Sequence, residues 1–160
     1  MTYDIRMASA ADVPAMAKLI EAKRALLESF EPVMWRPSAT AGQMTSAFFT
    51  HVLAQPQAIA RVADANGAMA GFIIGVLQEA PPVYAPGGKS VVIDDFAVAD
   101  GDLAEAVGPA LLDAVMSEAR ARGAVQMIVI AAARDPRVTR WLEEKKLHVA
   151  SQWWTRTLSH

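Results

Sequence analysis

The chain has 160 residues, 53% of them hydrophobic and 20% charged, with a formal net charge of -2 at pH 7 and no cysteine. That length suits one domain, residues 1–160, burying about 68–70% of the surface its unfolded form exposes. The charge removes the cation–phosphate basis for binding nucleic acid, the missing cysteines exclude disulfides, thiolate metal sites and a Cys nucleophile, and no uncharged apolar run is long enough to suggest a membrane partner.

The first residues, "MTYDIRMASAADV", lack an apolar signal core, which makes the cytoplasm the default compartment. "YDIRMA" alternates as a strand does, and Ser9 with Asp12 has capping-box spacing at the start of a helix whose first turn holds Pro14. Met16, Leu19, Ile20, Leu26 and Leu27 predict its buried stripe, with Lys23 beside it laying its stem on the core and its charge in water. After a break at Pro32 to Pro37, "TAGQMTSAFFTHVLAQ" predicts a second helix with Met44, Phe48 and Val52 inward. Two β-like runs, 58 to 64 and 68 to 79, flank Asn66-Gly67 and predict an antiparallel hairpin. "SVVIDDFAVA" is the next strand. A long helix is expected from Gly108 to Arg122, with Pro109 in its first position and Gly123 as its stop. "AVQMIVIAA" reads as a strand covered on both faces, Asp135-Pro136 caps a short helix to about Lys146, and "HVASQWWTRTL" reads as a closing strand. The order β-α-α-β-β-β-α-β-α-β makes an α/β fold with one mixed central sheet flanked by helices on both faces.

One segment carries more than fold. "IDDFAVADGDLAEAVGPALLDAV", from Ile93, resembles without gaps the strand, pyrophosphate loop and helix of GNAT-superfamily N-acetyltransferases, written like "IEDLAVDPEYRGKGIGSALLEAA". The opening "IR" strand, the hairpin ending "GFIIG", and "DPRVTRWLEEKKL" in place of "NERAIRLYEKLGF" extend the resemblance over almost the whole chain, residues 29 to 57 matching least. Within the loop signature Leu103 replaces an Arg or Gln, Ala106 replaces the first glycine and Gly108 keeps the second. Leu142 stands where many members have the tyrosine that protonates the departing thiolate, and Lys146 stands at a usual glycine.

The resemblance implies acetyl-CoA as co-substrate, no metal, and a primary amine of a small molecule or a protein as acceptor. Backbone groups of Phe96, Ala97 and Val98 would hold the thioester carbonyl, and the loop backbone of Leu103, Ala104, Glu105, Ala106, Val107 and Gly108, with Asp135, would bind the coenzyme. Ala106 would be strained only if it needs a positive φ. Asp100, Asp102 and Glu105 crowd the bend and weaken anion binding unless they face water, while Arg134 and Arg137, flanking the start of the fourth helix, read as solvated surface ahead of the alternative that they reach the coenzyme's phosphates. Asp94 would take the acceptor's proton, because an alkyl amine is mostly protonated at neutral pH; Asp95, its neighbour on the strand, is expected on the opposite face. Tyr84 is the candidate substitute acid, and Trp35 with Phe48 the candidate acceptor pocket. His51, His148 and His160 lack metal-ligand spacing. Two other readings stay open: a non-catalytic acyl-CoA-binding or sensor domain, and an interaction module without cofactor. The oligomeric state is open too, a homodimer being among the states allowed.

Overall fold

The computed structural model describes residues 2–101 and 103–158; Asp102 and His160 lie outside the described residues. Strands β1 (Asp4–Met7), β2 (Ala58–Ala65), β3 (Ala68–Gln78), β4 (Lys89–Val98) and β5 (Ala124–Val129) form one sheet in chain order, antiparallel throughout except that β5 runs parallel to β4. The helices are α1 (Val13–Phe30), α2 (Ala41–Leu53), α3 (Ala104–Ala121) and α4 (Pro136–Glu144). Asn66 and Gly67, both at positive φ (53° and 78°), close the β2–β3 hairpin as their side chains suggest.

The two faces bury two cores. On one, α3 lies along β2 and β3 with α4 against it, and Val107, Leu111 and Val115 pack on Ile73, Val91 and Ile93. Gly71 and Gly75 of β3 let α3 come this close, since a Cβ at Gly75 would stand 2.9 Å from Val115 Cγ1. On the other, α1 and α2 bury Met16, Ile20, Phe49 and Val52 against Val62, Phe72 and Ile74. Ahead of α1, a 3-10 turn over Ala10–Asp12 is fixed by the Asp12 carboxylate, which accepts from the Ser9 amide (2.7 Å) and from the Arg6 fork (2.7 and 2.9 Å). These charge-assisted bonds hold Asp12 down to about 2, first through Arg6 and then through Ser9, against the opposing effect of burial.

Several expectations are corrected. The inward stripe of α2 is Thr45, Phe49 and Val52, while Met44 and Phe48 are exposed. Phe49 meets Phe72 edge-on, and Thr45 takes a hydrogen bond from Arg24, so tertiary contacts rotate the stripe by one residue. Helix α3 begins at Ala104, four residues before Gly108, which puts Pro109 in the second turn, where its missing N–H leaves only the Glu105 carbonyl without a helical donor. β5 is covered on one face only: the α1–α2 layer packs on β2 to β4, leaving Val125, Ile128 and Ile130 exposed. The closing strand does not form. Residues 148–158 form no helix and no sheet pairing, and Trp153 and Trp154 are 79% and 89% exposed. Adjacent tryptophans point to opposite faces of an unbulged strand, and among the described residues no layer lies beyond β5 to receive either.

Candidate active site

Where β4 passes Ile93 its pairing changes on both sides. Towards β3 the register slips, Ile74 opposing Asp95 and Gly75 opposing Ile93, so Asp94 is an extra, bulged residue. Towards β5 the last links are the Ile93–Val129 pair and the Ile130 amide donating to the Ile93 carbonyl at 2.8 Å, beyond which the strands part. The Ala99 amide bonds the Ala70 carbonyl at 2.8 Å; alternation then pairs Ala97 with Phe72 by hydrogen bonds and turns the N–H and C=O of Phe96 and Val98 away from β3 into the cleft. Of the three backbone positions expected to hold a carbonyl, two face the cleft and Ala97 faces the ladder.

The bulge also reverses the side-chain alternation. Ile93 before it and Phe96 after it both join the α3 core, and Ala97 joins the α1 core. Asp95 is thereby turned to α1 and the exposed Asp94 stays beside it, so the expectation that these neighbours are kept on opposite faces is corrected: both act on one group, the amine of Lys23. That amine is half-buried and is not left to water alone. It donates to the Phe96 carbonyl at 2.8 Å and lies 3.5 Å from the centroid of the Phe96 ring. Burial holds Lys23 down to about 8 in spite of Asp95, Asp94 and Asp135, and burial, then the Asp94 charge, raises Asp95 in spite of Lys23 and Arg24. A lysine three residues beyond Ile20 and four before Leu27 has the spacing of a core-facing position, which was the available signal for it.

At the mouth of the cleft the β4–α3 bend meets α4. Gly101 takes the left-handed φ of 134°, and Ala106 is ordinary helix, so the strain considered for Ala106 does not arise. The amides of Ala104, Ala106 and Val107 bond the Gly101 and Leu103 carbonyls within this turn. The acids are bridged to α4: Arg137 reaches Asp100 at 2.9 Å, Arg140 reaches Glu105 at 2.8 Å, and the Trp141 indole N–H donates to Glu105 at 3.1 Å. The solvated-surface reading of Arg137 is corrected, since α4 delivers two guanidiniums to the bend; Arg134 bonds the Phe30 carbonyl instead. Gly108 serves the same packing. A Cβ there would lie within 2.6 Å of three carbons of the Trp141 ring.

The remaining expected residues are dispersed. Asp135 is buried and caps α4, accepting from the Arg137 and Val138 amides at 3.1 Å. Leu142 lines an apolar cavity of about 10 Å³ with Phe96, Val98, Leu111, Val138 and Trp141, room for little more than one water. Tyr84 is 72% exposed in the loop ahead of β4, at the strand's other end from the cleft. Trp35 is half-buried between α1 and α2, and Phe48 is exposed on α2, its ring 5.9 Å from that of Phe49. No metal-binding group of three or more His, Asp or Glu occurs among the described residues.

No protein-family model matches this chain, and no curated protein matches it significantly. Solved structures do match over nearly its whole length. A tetramutant of the BH1408 protein from Bacillus halodurans superposes with a TM-score of 0.83 at 16% identity, covering 97% of this chain and 99% of the other. A predicted acetyltransferase from Clostridium acetobutylicum with acetyl-CoA gives 0.74 at 15% identity, covering 98% and 96%. An aminoglycoside acetyltransferase from an uncultured soil metagenomic sample, in complex with sisomicin, gives 0.69 at 19% identity, covering 99% and 96%. At such identities the likeness is one of fold, and the fold is that of the GNAT acetyltransferases.

Proposed function

With the GNAT fold as premise, we propose that this protein is an N-acetyltransferase that moves the acetyl group of acetyl-CoA directly to a primary amine of a small molecule or a protein. The observation that carries the reading is the bulge at Asp94 together with the parting of β4 from β5, which leaves backbone donors facing a cleft beside a carboxylate pair. Bound acetyl-CoA would supply an activated acyl group. The residues present fit it: the Phe96 and Val98 amides would polarise the thioester carbonyl, donors that act chiefly on developing negative charge. Arg137 and Arg140, with the positive end of α3, would meet the diphosphate, because exposed ion pairs such as theirs are worth only about 0–1 kcal/mol and exchange partners readily.

Asp95 is the preferred proton acceptor. It is the more buried of the pair and its affinity for a proton is raised, as a base working near neutral pH requires. The exposed Asp94 supports it electrostatically. Leu142 gives no proton, so the thiolate leaves unprotonated by α4; with a thiol pKa of about 8.5 that departure is slow rather than forbidden. That same leucine, in an apolar wall with Trp141, favours a second reading, a domain that binds acyl-CoA without turning it over. Titration calorimetry with acetyl-CoA, followed by thiol release over a panel of primary amines, tests both. Binding with turnover supports the enzyme, binding with no release from any amine supports the sensor, and no binding refutes both.

A further inference from the structure

The cleft already contains an amine. Lys23 projects from α1 onto the unpaired edge of β4, where its Nζ is 2.8 Å from the Phe96 carbonyl and is braced on the Phe96 ring. The Phe96 and Val98 amides that would hold a thioester carbonyl lie on that same edge. The charged groups acting on Nζ are Asp94 and Asp95 on β4 and Asp135 at the start of α4, while Arg24, its neighbour on α1, acts on Asp95 and bonds Thr45.

We propose that Lys23 is an acceptor of the protein's own reaction, so that the chain acetylates its own Lys23 Nζ from an acetyl thioester; this rests on the acetyl-transfer reading above. In the step the neutral amine's lone pair forms the N–C bond to the thioester carbonyl carbon while the C–S bond breaks and its electrons leave on sulfur. The Nζ proton passes by way of water to the Asp95 carboxylate and from there to the thiolate, so that amide and free thiol are the only products. With Lys23 held at about 8, about a tenth of the amine is neutral at pH 7, against less than about a thousandth for a free lysine. Acetylation turns a buried ammonium into a neutral amide and removes the cost of keeping that charge out of water. It also leaves an acetyl group where the next thioester carbonyl must sit. The modification is therefore self-limiting and closes the site to further donor.

The test uses the whole protein with acetyl-CoA, peptide mapping by mass spectrometry, and calorimetry on the same samples. The expected result is one acetyl group on the Lys23 peptide, added at least about tenfold faster than to any other lysine and than to Lys23 in the unfolded chain. Its rate is independent of protein concentration and rises with pH to a plateau above about 8. Lys23 found already acetylated on purification is the same result. Lys23→Arg should bind acetyl-CoA and stay unmodified, and Asp95→Asn should slow the step. A readout without turnover is labelling of Lys23 by acetic acid N-hydroxysuccinimide ester, which coenzyme A should suppress. Acetyl-CoA binding with no preference for Lys23 overturns the inference and leaves the transferase reading standing; absence of binding overturns both. The wild-type peptide map decides the matter even if a variant fails to fold.

Discussion

Substituting Gly108 by Ala separates two reasons for a glycine within α3. In an isolated helix the change favours folding by about 1 kcal/mol. Here the new Cβ would stand within 2.6 Å of Cε3, Cζ3 and Cη2 of Trp141, where carbon contacts settle at about 3.5–4.0 Å, so the ring must retreat by about 1 Å. Trp141 is 2% exposed and tied to Glu105 at 3.1 Å, so retreat strains the core by about 1–3 kcal/mol and weakens a hydrogen bond worth about 0.5–1.5 kcal/mol. Net destabilisation of about 1–3 kcal/mol follows, which lowers Tm by roughly 2–4 °C per kcal/mol in a chain of this size. In a Trp141→Leu background the obstacle is gone, and Gly108→Ala should stabilise by about 1 kcal/mol. The assay is a double-mutant cycle from urea unfolding midpoints, with an expected coupling of about 2–4 kcal/mol. If alanine stabilises the native background, or acts alike in both, Trp141 is not the reason for this glycine. If acetyl-CoA affinity instead falls equally in both backgrounds at unchanged stability, the glycine is needed by the coenzyme.

At the end of α4, Lys146 sits at φ 65° while the Leu147 amide reaches back to the Leu142 carbonyl at 2.9 Å, a glycine-type helix stop made with lysine. Lys146→Gly should therefore raise stability by about 0.5–1 kcal/mol in the same unfolding assay. Asp12→Asn removes the charge that Arg6 grips and should cost about 1–2 kcal/mol at neutral pH. Because Asp12 is lowered from 3.8 to about 2, its contribution is complete above about pH 4 and lost as pH falls towards 2, so melts of variant and native protein should converge there. Asp95→Asn should lower thiol release by about 10²–10⁴-fold with acetyl-CoA affinity nearly intact, and Asp94→Asn by less than about tenfold; the opposite ranking would assign the proton to Asp94.

What the sequence determined by itself is local. The Asn66-Gly67 hairpin, the Asp135-Pro136 cap, the helix stop at Lys146 and the order of strands and helices as far as α4 each depend on a few neighbouring residues whose φ preferences or spacing act over one turn. The gapless match from Ile93 likewise gave the succession of strand, bend and helix, though not the helix start, which lies at Ala104. Tertiary structure decided the phases and the partners. Periodicity leaves a helix stripe uncertain by one residue, and contact with Phe72 chose Phe49 over Phe48. Strand alternation assumes an unbroken ladder, and the slip against Ile74 brought Asp95 and Asp94 to one amine. Lys23 entered the cleft because the last β5 link to β4 is at Ile93, and Arg137 and Arg140 met the acids of the bend because Trp141 seats on Gly108. A charged side chain's partner is set by where the sheet and helices bring distant segments together, and no neighbour in the chain carries that information.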